Sequence, residues 1–239
     1  MHRSRFTNPN IDASIPNEGT DMKIGIIGAG HIGGTLTRRL AALGHEVSVA
    51  NSRGPESLAS LAAEAGARAT AVADVVKGKD VVVVAVPLRS VLELPKGLFR
   101  SADARTVVVD TSNYYPQRDG RIDPIESGKA ESRWVAEQLG RPVVKAFNTI
   151  HAKHLMERGR PAGDPARMAV SIAGDDDAAK RVVLQLIEEL GFDGVDGGSL
   201  DESWRQQPGT PVYGAALGAE ATRRALAEAR NERQAAGRS

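Results

Sequence analysis

Cysteine is absent from the chain. Thiol catalysis, disulfide relays, iron–sulfur clusters and cysteine-based zinc sites are therefore excluded, and nothing points to an oxidising compartment. A surplus of charge is missing too. With 31 Lys and Arg against 30 Asp and Glu the formal net charge is +1, which gives no reason to expect a nucleic-acid or acidic-membrane partner. Long apolar runs are also lacking. The longest, VVVVAVPL at residues 81–88, contains a proline and falls well short of the roughly 20 residues that cross a bilayer. The first 21 residues, MHRSRFTNPNIDASIPNEGTD, carry no apolar run after their basic start, so they do not read as a secretory signal. They read as a flexible extension or an alternative start, and the expected location is the cytoplasm.

What is present is enough apolar material for a full core: 41% of 239 residues, which allows one domain, or one domain with a smaller lobe. MKIGIIG (residues 22–28) is a short apolar strand. HIGGTLTRRLAALGH follows with helical spacing, placing Ile32, Leu36, Leu40 and Leu43 on one face and Gly44 at the stop. HEVSVAN is a second strand, and residues 55–65 a helix with proline in its first turn. ARAT is a third strand, with a short helix expected near residues 73–76. KDVVVVAV is apolar on both faces and so central in a parallel sheet. RTVVVD and RPVVKAFN complete six strands, followed by the strand RMAVSIAG, the helix DDDAAKRVVLQLIEELG with one apolar stripe (Val182, Val183, Leu186, Ile187, Leu190), the strand FDGVDGG and a polar terminal helix expected to fray.

Strands alternating with helices predict an α/β fold, a Rossmann-type doubly wound parallel sheet with a compact C-terminal α/β extension. The expected division is a dinucleotide-binding domain over 22–150, the extension over 151–214, and a terminal helix and tail over 215–239.

Gly28-Ala29-Gly30-His31-Ile32-Gly33 reads G-x-G-x-x-G between the first strand and the first helix. The first glycine permits a tight turn, the second lets a pyrophosphate approach the backbone, and the third allows close helix–strand packing, with the helix N–H groups facing the phosphate. His31 sits inside this loop, where it is expected to pack beside or contact the dinucleotide rather than act as a base. An NAD site places Asp or Glu at the end of the second strand, roughly twenty residues on. Here the end of that strand reads Asn51, Ser52 and Arg53, with no carboxylate at residues 50–54. A carboxylate would repel a 2′-phosphate and Arg53 attracts one, so the expected cofactor is NADP.

No set of acid, base and nucleophile stands out. His151 and His154 lie three apart, but H-E-x-x-H is absent and no metal site is expected. Asp175, Asp176 and Asp177 read as helix capping. Lys145 reads as a lysine at a solvated strand edge. Tyr114 and Tyr115 follow the fifth strand, at the sheet edge where ligands bind, and either contact a substrate or pack on their loop. Hydride transfer between two bound redox groups needs mostly orientation and exclusion of water, so no catalytic side chain is assigned.

Four segments, KIGIIGAGHIGGTLTRRLAALGHEVSVANSR, VVVVAVP, VVKAFNTIHAKHL and AGDDDAAKRVVLQLIEELGFDGVDGGSL, resemble in that order the NADPH-dependent reductases of the deazaflavin coenzyme F420. They are also similar to the cytosolic reductase domain of six-transmembrane metalloreductases, whose NxYP and VVKxFN segments look like residues 113–116 and 143–148. The resemblance covers residues 22 to about 214. It implies direct hydride exchange between NADP and a deazaflavin or flavin. Gly28, Ala29, Gly30, His31 and Ile32 would then hold the pyrophosphate, and Ser52 and Arg53 the 2′-phosphate. Val86 and Pro87 would lie along the dinucleotide, with Asn113 and Ala152 near the nicotinamide and the acceptor in a cleft against the C-terminal extension. A homodimer is implied as well. The chain departs from the family at Ala29, where those reductases often carry G-G-T-G-x-x-G, at Asn148, where they carry histidine, and in DTSNYYP and WRQQPGTPVYG. Binding of NADP is expected to survive these departures; the identity of the acceptor is what they leave open. Two alternative readings are an NADPH-dependent reductase of a flavin, imine or carbonyl compound, and a non-catalytic NADP-sensing protein.

Overall fold

The computed structural model describes residues 21–231, so the expected flexible extension lies outside the described residues but for Asp21. Six parallel strands form the main sheet: β1 (Lys23–Ile27), β2 (Glu46–Ala50), β3 (Arg68–Ala69), β4 (Val81–Val84), β5 (Val107–Asp110) and β6 (Val144–Lys145). Their order across the sheet is β3-β2-β1-β4-β5-β6. This is the doubly wound order, and its reversal between β1 and β4 opens the crevice where such sheets bind ligands. The register runs from Lys23 opposite Glu46 to Ile27 opposite Ala50 on one side of β1, and from Ile24 opposite Val81 to Ile27 opposite Val84 on the other. Both faces are covered. Ile24, Ile26, Val81 and Val83 pack on one side with Leu36 and Leu40, while Ile27, Val82 and Val84 pack on the other with Val75, Val76 and Phe99. That explains why β4 can be four consecutive valines, all buried.

The helices are α1 (His31–Ala42), α2 (Ala59–Ala65), α3 (Pro116–Asp119), α4 (Asp123–Glu126), α5 (Glu131–Leu139), α6 (Ala152–Glu157), α7 (Asp177–Glu189) and α8 (Ala219–Glu228). Strands β7 (Ala169–Ile172) and β8 (Asp193–Asp196) form a second, two-stranded parallel sheet with α7 as its crossover. The second sheet joins the first through a single antiparallel bridge: Lys145 N donates to Ala173 O at 2.8 Å, and Ala173 N returns to Lys145 O at 3.0 Å.

Several expectations need correction. Leu43 is 43% exposed, because α1 ends at Ala42 and its stripe stops at Leu40. The helix expected at 73–76 is a run of turns over 72–78; it has too few residues to nucleate a helix, and its Val75 carbonyl sits so close to β1 that a Cβ on Gly25 would lie 2.2 Å away. The helix expected at 55–65 is split into a 3₁₀ turn, Pro55–Leu58, and α2. β6 is two residues long because Phe147, buried, adopts φ 60° and turns the chain away, a conformation costly for an aromatic residue. α8 is no loose polar helix: Thr222, Ala225 and Leu226 are buried, and Leu226 packs with Val195 and Val212. No helix among the described residues is long and apolar enough to cross a membrane.

Candidate functional site

The site is built on the turn from β1 to α1. Gly28 has φ 103° and donates its N–H to Ala50 O at 2.8 Å; a Cβ there would lie 2.3 Å from Ala85 O. A Cβ on Gly33 would lie 1.9 Å from Gly28 O, so only glycine lets α1 approach the strand this closely. Gly30 differs from both. A Cβ there would meet nothing within 4 Å, which leaves the loop open on the side where the second glycine of the motif admits a pyrophosphate. α1 has no side-chain cap and no acidic residue in its first turn, so its leading N–H groups remain available to an anion. The residues present fit a dinucleotide.

Two cavities meet at this loop. One, of about 530 Å³, is walled by Gly28, Ala29, Gly30, Asn51, Ser52 and Arg53 on one side and by Val86 and Pro87 on the other. The second, of about 640 Å³, is an open groove holding His31 and Ala152. Ala29, Gly30 and Arg53 line both. Ile32 and Gly33 line neither: Ile32 packs on the core and Gly33 lies beneath the loop. Asn51 spends its side chain on the turn itself. Its Oδ1 accepts from Arg53 N at 2.9 Å and its Nδ2 bonds Ser57 Oγ at 2.9 Å, which presents Ser52 and Arg53 outward.

Asn113 stands on the other half of the sheet edge, in a closed polar cluster. Its Nδ2 donates to Asn148 O at 3.1 Å, and Asn148 Nδ2 donates to Asn113 Oδ1 at 3.1 Å and to Gln206 O at 2.6 Å. Gln206 Nε2 returns to Asn148 Oδ1 at 3.0 Å. The loop after β5, the loop after β6 and the C-terminal segment are thus locked together. Gly214 N adds a bond to Thr149 O at 2.9 Å.

The two tyrosines sit in different surroundings. Tyr114 is buried and structural, its hydroxyl donating to Glu126 Oε1 at 2.7 Å and accepting from Ile122 N at 3.1 Å. Tyr115 is partly exposed; its hydroxyl bonds the hydroxyl of Tyr213, and the Arg118 guanidinium lies 5.0 Å from its ring centre. Burial, and then the bond to Tyr115, push the Tyr213 phenol up.

Lys145 is not at a solvated edge. It is wholly buried, because the bridge to Ala173 seals that side of β6. Its Nζ donates to Ser112 O at 2.8 Å and lies 3.8 Å from Asp110 Oδ2 and 3.7 Å from Glu131 Oε2, both also buried. Asp110 accepts from Ser112 N and Ser132 Oγ, and Glu131 from Tyr114 N. One buried cation and two buried carboxylates therefore hold the loop that carries Asn113 and Tyr115. A lysine inside VVKAF was the available signal for this, since a charge in a run of buried strand residues must find partners. Gln206 and Tyr213 carried no signal of their own.

The remaining candidates have structural partners. His151 and His154 meet edge to face with ring centres 5.7 Å apart, and no cluster of potential metal ligands is found among the described residues. Asp176 caps α7, accepting from Ala178 N and Ala179 N. Asp175 joins Asp201 in gripping Arg133, and Asp177 pairs with Lys180.

Comparison with known proteins places these features in a family context. Residues 23–114 match the family of NADP oxidoreductases described as coenzyme F420-dependent. A hypothetical protein from Sinorhizobium meliloti, SMa0349, is 34% identical, with 82% of this chain and 95% of that one covered and a TM-score of 0.69. A protein from Arthrobacter sp. FB24, provisionally described as an F420-dependent NADP reductase, is 29% identical over 75% of this chain and 86% of its own, with a TM-score of 0.61. The protein YjhV of Escherichia coli (strain K12) is 53% identical over 53 residues, 22% of this chain; the match spans only 39% of that curated relative's length.

Proposed function

Because the chain belongs to the coenzyme F420-dependent NADP oxidoreductase family, we propose that it transfers a hydride between NADP(H) and a deazaflavin of the coenzyme F420 type. The observation that carries this reading is the junction at Arg53: an open glycine cradle shares its cavity with Ser52 and Arg53, and no carboxylate stands at residues 50–54. A nicotinamide dinucleotide bound there would donate or accept the hydride. Gly28, Ala29, Gly30 and the first turn of α1 would hold its pyrophosphate, Ser52 and Arg53 its 2′-phosphate, and Val86 and Pro87 would lie along it. Asn113 and Ala152 would flank the nicotinamide, with the segment over residues 200–214 keeping water from the reacting face.

Arg53→Ala should therefore weaken NADPH binding by about 1.5–3 kcal/mol, the value of a lost hydrogen bond to a charged group, and leave NADH binding nearly unchanged. Titration of both dinucleotides checks this; equal losses would end the 2′-phosphate assignment.

The Tyr115–Tyr213 pair favours a second reading. Two hydroxyls sharing one hydrogen bond leave one O–H for a third partner, an acid that an imine or carbonyl acceptor would use. Anaerobic oxidation of NADPH by the purified protein, with coenzyme F420, free flavin mononucleotide and a cyclic imine in parallel, separates the readings. Rapid deazaflavin reduction is the expected outcome. Reduction of the flavin or imine alone would replace it.

A further inference from the structure

A second arginine stands on the groove that begins at Arg53. Arg38, on α1, lines this groove together with Arg53, Ser57 and Glu64. Its Nη1 donates to Gly34 O at 3.2 Å, on the turn that follows the glycine cradle. Its Nε and Nη2 make two parallel bonds to the carboxylate of Glu64 on α2, at 2.9 and 3.0 Å. The bond to Arg38 holds the Glu64 carboxyl below its ordinary value, so the pair is ionised at neutral pH. Both side chains are open to solvent, at 37% and 58% exposure.

A phosphate monoester such as the 2′-phosphate carries a charge of roughly −1.5 to −2 at pH 7. Arg53 supplies a single positive charge, and Ser52 supplies only a hydroxyl. The phosphate is therefore undercompensated unless another cation joins it; Arg38 and Lys153 both line the same groove, and of the two Arg38 presents a planar fork. The fork that fits the Glu64 carboxylate fits a phosphate equally well, since both offer two oxygens in one plane to a planar guanidinium. Leaving Glu64 costs Arg38 little, because an exposed ion pair contributes only about 0–1 kcal/mol. The displaced carboxylate, in turn, repels a dianion in the groove.

We propose that Arg38 is a second cation for the 2′-phosphate and that Glu64 competes with the phosphate for its guanidinium. The pair then sets how strongly the site prefers NADP over NAD. This inference rests on the NADP reading of the cofactor cavity. It assigns Glu64 a role opposite in sign to that of Arg38. A salt bridge that only tied α1 to α2 would give both residues the same sign.

The test is fluorescence titration of the full chain with NADPH and with NADH at low ionic strength, for the wild type and for Arg53→Ala, Arg38→Ala and Glu64→Gln. Arg38→Ala is expected to weaken NADPH about 5- to 20-fold and to change NADH less than about twofold. Glu64→Gln is expected to tighten NADPH about two- to fivefold and to leave NADH alone, and both effects should shrink as salt is added. The inference is overturned if the two substitutions move NADPH in the same direction, or if either moves NADPH and NADH equally. If Arg53→Ala abolishes the preference for NADPH while Arg38→Ala leaves it intact, this inference alone falls. If Arg53→Ala also leaves it intact, the NADP reading falls with it.

Discussion

Replacing Lys145 by methionine is expected to destabilise the fold by about 3–5 kcal/mol, the cost of removing one partner from a buried ionic group. Asp110 and Glu131 would be left as two buried carboxylates without their cation, and the Ser112 carbonyl would lose its donor. The damage should not stay local. Ser112 lies on the loop whose Asn113 locks to Asn148 and whose Tyr115 meets Tyr213, so that side of the site loosens with it. Denaturant unfolding of the two proteins measures the difference. Adding Asp110→Asn and Glu131→Gln to the lysine variant should recover part of the loss, because neutral amides tolerate burial better than unpaired carboxylates. A change below about 1 kcal/mol for Lys145→Met would mean that water reaches the group and that the loop is held by other contacts.

The second large effect separates two glycines of one motif. Gly33→Ala should destabilise the protein by about 3 kcal/mol or more, since its Cβ would stand 1.9 Å from a backbone carbonyl and α1 would have to withdraw from β1. Gly30→Ala should leave unfolding within about 1 kcal/mol of the wild type. Its φ of −73° suits any residue, and the new methyl meets no protein atom within 4 Å. That methyl instead projects where a pyrophosphate must approach, so NADPH binding should weaken by about 1–3 kcal/mol through overpacking of the complex alone. Thermal melts paired with NADPH titrations would show the two effects apart. Wild-type affinity in a well-folded Gly30→Ala protein would put the pyrophosphate elsewhere.

What could be read in the sequence was whatever is encoded over short distances. The glycine loop, the valine strand and the stripe on α7 each lie within about a dozen residues, and each matched a period or spacing that physical chemistry restricts to few structures. What could not be read depends on residues that the fold brings together from far apart. Asn148 meets Gln206 across 58 residues, and Tyr115 meets Tyr213 across 98. Lys145 shows the mechanism of the misreading. Its strand is the sheet edge by the count of parallel strands, and an edge lysine is ordinarily solvated. The bridge from Ala173 in a second sheet covers that edge and turns the lysine into a buried cation. Likewise α8 is polar by composition, yet a small patch of Thr222, Ala225 and Leu226 buries one face of it.

The central claim is that this cradle is made for a 2′-phosphorylated dinucleotide, and the most direct measurement is the dissociation constant of the wild-type protein for NADPH and for NADH under identical low-salt conditions. The expected result is NADPH bound at least about tenfold more tightly, the equivalent of about 1.4 kcal/mol contributed by the phosphate contacts at Arg53. Equal affinities, or a preference for NADH, would contradict the assignment of Ser52 and Arg53 and with it the NADP identity of the cofactor.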